Sequence, residues 1–219
     1  MFKISIKNTL FVFTIFLIAM MISSCAYVPK MKKPAATIKT EKSTSGSSGK
    51  TAGVILEQPK FRISKKTAAA YNTALKHMRA KNYDTAILEM HKVAKMDERI
   101  SGPWVNIGVA YKELGNVEKA KSAFQKALSI NPKNPFALNE LAILNRIDGK
   151  FEQAEKLYKQ ALSTYPDYEN AHLNLAILCD VYLRKIDCAL NHYQAYLNLS
   201  DGQDKQVNAW VSQLKKQGS

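Results

Sequence analysis

The sequence predicts an all-α fold, a superhelical solenoid of about four helical hairpins closed by a C-terminal capping helix. Three observations predict it. In Trp104–Pro132, WVNIGVAYKELGNVEKAKSAFQKALSINP, apolar or small residues recur at helical spacing on both sides of Gly115-Asn116. They are Trp104, Ile107, Gly108 and Tyr111 before the break, then Ala120, Phe124 and Ala127 after it. Thirty-four residues on, the pattern returns as Leu138, Leu141, Ala142, Gly149, Ala154, Tyr158, Ala161 and Pro166. Finally, residues 203–217 place Val207, Trp210, Val211 and Leu214 at i, i+3, i+4 and i+7, one apolar face of a helix.

A period of thirty-four with this residue set resembles the tetratricopeptide repeat family. The resemblance covers residues 67–217 and implies four repeats, 67–100, 101–134, 135–168 and 169–202, with no strands. The first is degenerate: Ala70, Tyr71, Ala74, Leu75 and Met78 mark its helix A, and Ala86, Met90 and Val93 its helix B. Ala74 and Ala86 are small where two helices must approach. The second opens with Ser101-Gly102-Pro103, a serine suited to capping and a proline tolerated in a first turn. Gly115 supplies the left-handed residue that reverses the chain. The third begins at Asn134-Pro135 and turns at Gly149. The fourth departs from the pattern. Leu183 stands where glycine is expected, and one extra residue brings Ala189, Tyr193 and Tyr196 into phase, so its turn (182–187) is expected to be longer.

Each hairpin carries apolar residues on two faces and relies on its neighbours to bury them. Trp104, Phe124, Tyr158 and Tyr193 are accordingly expected in the core. The resemblance also implies a concave groove lined by the A helices. Carried onto this sequence, its positions include Tyr71, Leu75, Met78, Val105, Val109, Lys112, Asn139, Ile143, Arg146, Leu173, Ile177 and Asp180. Such a groove suits an apolar or amphipathic segment of a partner protein. Alternatively, some of these residues pack between neighbouring A helices, or Phe61 and Ile63 fill the groove.

The N-terminus reads as an address. Lys3 and Lys7 precede a charge-free apolar run, residues 10–22, too short for the roughly 20 residues of a membrane-spanning helix. Ile22-Ser23-Ser24-Cys25 follows and looks like a bacterial lipobox, in which the cysteine thiol takes a diacylglycerol and becomes the new N-terminus. Residues 1–24 are thus expected to be a lipoprotein signal peptide and Cys25 the lipidation site, carrying palmitate-type chains that anchor durably. Ala26 lacks the aspartate that resembles an inner-membrane retention signal, which points to an outer membrane, facing the periplasm. Residues 25–62 read as a flexible basic linker spanning about 30–35 Å.

The formal charge of +14 is concentrated there. Residues 26–66 hold ten Lys or Arg against two acids, whereas 67–219 hold twenty against sixteen including the helix-one lysine at 76. A mildly basic folded part argues against a nucleic-acid partner. Catalysis is not expected. His77, His91, His172 and His192 form no ligand spacing on one helix, and neither a phosphate-binding loop nor a nucleophile elbow occurs. No cofactor or metal is implied. Cys179 and Cys188 lie near the end of one helix and the start of the next, where they could be bonded or stay two buried thiols. The expectation is a non-enzymatic, lipid-anchored adaptor in outer-membrane pilus or secretion assembly. The alternative is a scaffold for periplasmic cell-wall (peptidoglycan) enzymes.

Overall fold

A computed structural model describes residues 62–217, which fall within the unit Ala36–Ser219. The expected signal peptide (residues 1–24), Cys25, Phe61 and most of the expected basic linker lie outside the described residues. Among the described residues there are nine α-helices and no strand. No helix among them is long and apolar enough to cross a membrane.

The helices pair in chain order. They are α1 (Lys65–Arg79) with α2 (Tyr83–Met96), α3 (Gly102–Glu113) with α4 (Val117–Ile130), and α5 (Pro135–Ile147) with α6 (Phe151–Thr164). In the fourth pair α7 (Glu169–Ile177) runs into a π-helical turn (Leu178–Tyr182) before α8 (Ile186–Leu199), and α9 (Lys205–Gln217) closes the stack. Helix ends use local polar groups. Ser64 accepts from the Thr67 amide, Asn116 from Lys119, and Asn134 from both Phe136 and Ala137. Asp204 accepts from the amides of Gln206 and Val207 at the start of α9.

Close approach within each pair follows from a small residue facing a large one. Ala74, Gly108, Ala142 and Ala176 recur at the repeat period and are buried, as are Met90, Phe124, Tyr158 and Tyr193. At Gly108 the fit admits nothing more: a Cβ would lie 2.4 Å from the Phe124 ring. Between pairs, three clusters form the core. Tyr71, Met90 and Ile107 join the first two repeats; Val105, Phe124 and Leu141 join the second and third. Tyr158, Leu175, Tyr193 and Val211 join the third, the fourth and α9. Trp104 differs from expectation. It is only half-buried, at the seam of two clusters and edge-on to His91, with centroids 5.3 Å apart.

Two other expectations are corrected. Ser101 does not cap α3 with its side chain; its hydroxyl accepts from Asn134 Nδ2 at 2.8 Å, a buried link between successive repeats. The fourth turn is not longer, either. In every repeat one left-handed residue reverses the chain two positions before the second helix starts: Lys81 (φ 61°), Gly115 (78°), Gly149 (74°) and Arg184 (54°). The extra residue of repeat four sits earlier, in the π-helical turn. There Leu183 N–H bonds Leu178 O, and Lys185 N–H bonds Cys179 O six residues back, where Asn82, Asn116 and Lys150 reach back five. A π turn absorbs one residue without breaking the helix, so the turn geometry survives the insertion.

Candidate functional site

The first helices of the four pairs, α1, α3, α5 and α7, carry the twelve residues that the sequence assigns to a groove. The structure sorts them. Tyr71, Leu75, Val105, Asn139, Arg146 and Ile177 are buried. Met78, Val109, Lys112, Ile143, Leu173 and Asp180 are half-buried. Tyr71, Leu75, Val105 and Ile177 belong to the inter-repeat core, so packing between neighbours is their first role. Met78, Val109, Ile143 and Leu173 are the apolar members that keep exposed surface.

Polar side chains tie these helices one to the next. Asn106 Nδ2 donates to Tyr71 Oη at 2.6 Å and to the Gly102 carbonyl, joining α3 to α1. Lys112 pairs with Glu140, joining α3 to α5. Asn174 Nδ2 donates to Asn139 Oδ1 at 3.1 Å in a buried link from α7 to α5. Arg146 Nη1 donates to Tyr182 Oη at 3.3 Å, joining α5 to the π-helical turn. Asp180 accepts from the Tyr193 hydroxyl, and burial followed by that carboxylate pushes the Tyr193 pKa up.

Asn106, Glu140, Asn174 and Tyr182 are site residues that the groove positions alone miss. A signal for three of them exists. Asn106, Glu140 and Asn174 recur at the repeat period, one residue after Val105, Asn139 and Leu173. A polar residue kept at the same helix position in successive repeats, beside a buried one, marks an inter-repeat hydrogen bond.

Near the other edge of repeat four, His172 and His192 bring their Nδ1 atoms to 2.9 Å, and His172 Nε2 lies 2.8 Å from the Pro166 carbonyl. The carbonyl can only accept, so His172 carries its proton on Nε2 and takes one from His192 Nδ1. Burial, with His172 and Lys159 adding to it, lowers the His192 pKa to about 4. An unfolded histidine titrates near 6.5, so the unfolded state binds more protons between those two values. The stability from a neutral His192 is complete above about pH 6.5 and drains away as pH falls to about 4. We expect a loss of about 1–2 kcal/mol across that window, because water screens a ring only partly enclosed. Melting at pH 7.5 and pH 4.5 checks it. His192→Gln should flatten the dependence; an equal drop in the variant would refute the assignment.

No group of three or more His, Cys, Asp or Glu side chains is placed to hold a metal among the described residues. Cys179 and Cys188 are joined by a disulfide with Cα atoms 5.9 Å apart, linking the π-helical turn to the first turn of α8.

Comparisons with known proteins agree with this architecture. Models of the tetratricopeptide repeat match residues 103–134 and 123–156. Superkiller complex protein 3 of Mus musculus is 25% identical over 112 residues, 51% of this chain and 7% of that protein. Protein O-mannosyl-transferase TMTC3 of Homo sapiens is 26% identical over 147 residues, 60% of this chain and 16% of that protein. This chain thus spans a small part of the curated relatives it matches. Among solved structures, one described as the functional characterization of Pseudomonas aeruginosa pilF superimposes with TM-score 0.61 at 18% identity, covering 69% of this chain and 68% of that one. MamA from Desulfovibrio magneticus RS-1 gives 0.57 at 15% identity, covering 72% and 88%. These likenesses are of fold. The repeat type is one that binds protein partners and generally serves as a non-catalytic scaffold. Tetratricopeptide repeat models match residues 103–156 in two overlapping segments, and the same helix pairing continues on either side, so the chain carries tetratricopeptide repeats in an all-α superhelix.

Proposed function

We propose that this chain is a non-enzymatic adaptor that holds an apolar or amphipathic segment of an envelope protein against its first helices. The observation that carries the reading is the row of Val109, Ile143 and Leu173. Val109 and Ile143 stand one repeat period apart on α3 and α5, Leu173 lies one helical turn before the matching place on α7, and all three keep exposed surface while their neighbours are consumed in packing. Asn106, Lys112, Glu140, Asn139 and Asn174 flank that row with polar atoms already ordered by inter-helix bonds. A pre-ordered apolar strip with polar margins suits a helix or an extended segment.

The anchor and the pathway are part of the proposal. Ile22-Ser23-Ser24-Cys25 supports a lipid-anchored chain at an outer membrane, facing the periplasm, with the basic linker between anchor and repeats. Pilus or secretion assembly fits that placement, and the likeness in fold to the pilF structure supports the same direction. The test is a cross-linking capture from native membranes with wild type, Val109→Glu and Ile143→Glu, each checked for unchanged helicity and melting. The expected result is one envelope protein captured by wild type and reduced at least tenfold by either charge. Capture of the same proteins by all three would defeat the groove reading.

A further inference from the structure

One edge of the stack, where the first helix of each pair turns into the second, carries apolar side chains that the fold leaves in solvent. Leu114 and Val117 flank the turn at Gly115, Ile147 precedes the turn at Gly149, and Val181 and Tyr182 precede the turn at Arg184. All five are exposed, Ile147 at 66% and Val181 at 53%. The other exposed large apolar side chains among the described residues, Leu88 and Met96, lie on α2 away from these turns. The five share an edge because the turns stack. Tyr83 Oη, at the first turn, donates to Glu113 at the second at 3.3 Å. The rings of Phe151 and Tyr182 join the third turn to the fourth with centroids 4.7 Å apart.

Apolar residues scattered over a surface are ordinary, whereas a run of them along one edge marks an interaction surface. Each of the three turns also carries both signs of charge: Glu118 beside Lys119, Lys150 between Asp148 and Glu152, Arg184 and Lys185 before Asp187. An apolar strip with mixed charge does not match a strongly acidic or basic partner. It matches the boundary of a phospholipid bilayer, where apolar side chains enter below headgroups of both signs and a tyrosine spans polar and apolar layers.

A lipidated Cys25 holds the repeats beside such a surface. Residues 26–61 tether them, and the tether enters at the start of α1, on the edge opposite the apolar one. The 15 residues of α1 make about 22 Å of helix, less than the roughly 30–35 Å typical span of the tether, so the far edge can reach the bilayer.

We propose that the edge formed by Leu114, Val117, Ile147, Val181 and Tyr182 docks on the phospholipid surface that carries the anchor. Its apolar side chains enter the headgroup region, and the first helices stand over the bilayer with their C-terminal ends down. The inference rests on the anchored reading of Cys25 and adds which face the chain turns to the lipid. Ile143 lies one helical turn above Ile147, so the row assigned to the partner begins just clear of the headgroups.

The test uses the full lipidated chain in vesicles of phosphatidylethanolamine and phosphatidylglycerol with brominated acyl chains, which quench an indole that enters them. Val181→Trp reports the edge and Leu88→Trp a surface away from it, with the signal of Trp104 and Trp210 subtracted from wild type. Emission from Val181→Trp should shift to shorter wavelength and fall by about twofold, in about 0.5 M salt as at low salt, with Leu88→Trp unquenched. Adding Ile147→Glu to Val181→Trp should abolish the quenching while the chain still floats with the vesicles through its lipid. All three positions are exposed, so melting should be unchanged, and it is checked for each variant. A chain that does not float defeats the anchored reading and the docking with it. A chain that floats without quenching keeps the anchor and overturns the docking. Equal quenching of Leu88→Trp also overturns it, because no face is then preferred, and quenching lost in salt assigns the contact to the lysines of the tether instead. A wavelength shift in detergent without vesicles, lost on dilution, assigns the edge to a second copy and likewise overturns the proposal.

Discussion

Phe124→Ala is expected to destabilise the repeat stack by about 3–5 kcal/mol, among the largest effects of any single truncation. The ring is fully buried and belongs to the cluster that joins repeats two and three. Its removal therefore weakens both the hairpin of α3 and α4 and the interface to α5. Gly108 makes the position unusually demanding. The Phe124 ring occupies the space where any other residue at 108 would put its Cβ. Gly108→Ala should itself cost about 1–3 kcal/mol through overpacking. Combining the two changes should recover part of the loss, because the alanine methyl then enters space that the ring has left. A double-mutant cycle by denaturant unfolding reads the coupling, expected to exceed about 1 kcal/mol for residues in contact. Strict additivity would show that the two do not share that space.

That coupling explains why so much of the fold is legible in the sequence. A small residue and a large one must meet in every hairpin, so the period of thirty-four writes the packing rule four times: Ala74 with Met90, Gly108 with Phe124, Ala142 with Tyr158, Ala176 with Tyr193. The turns are less legible. Gly115 and Gly149 announce their left-handed backbone, but Lys81 and Arg184 adopt the same conformation without glycine. Leu183 and the late phase of Ala189 reveal an inserted residue but not where it goes. A loop and a π-helical turn can both absorb one residue, and the buried packing of Leu178 and Cys179 favours the turn.

The candidate site is legible in part for a related reason. Repeat positions say which residues face the neighbouring first helix. They do not say which are consumed by it. Val105 is buried where Leu173, two repeat periods on, keeps surface, and Ile177 is buried where Val109 and Ile143 keep it. The difference depends on how closely successive pairs stack, which is a tertiary property. Arg146 shows the limit most plainly. An arginine in a helix's last turn ordinarily reads as a solvated cation beside the backbone carbonyls. Here it is buried, with its guanidinium over the Tyr182 ring and donating to the Tyr182 hydroxyl, which the π-helical turn carries.

The same turn makes the disulfide the second large lever. Replacing Cys179 and Cys188 together by alanine is expected to cost about 2–3 kcal/mol, from the entropy of the nine-residue separation that the bond closes. The loss should be local. Each repeat is stabilised by its neighbours, and this bond joins the π-helical turn after α7 to α8, the last pair before α9 among the described residues. Hydrogen exchange should therefore show faster opening of α7, α8 and α9, with α1 to α4 nearly unchanged. Reductant added to wild type should reproduce the effect, and thiol alkylation should label neither cysteine in the folded, unreduced chain. A melting temperature indifferent to both reductant and substitution would show that the fourth repeat is held by packing alone. Uniform acceleration of exchange from α1 to α9 would instead mean that the stack unfolds as one unit, with no terminal fraying for the bond to suppress.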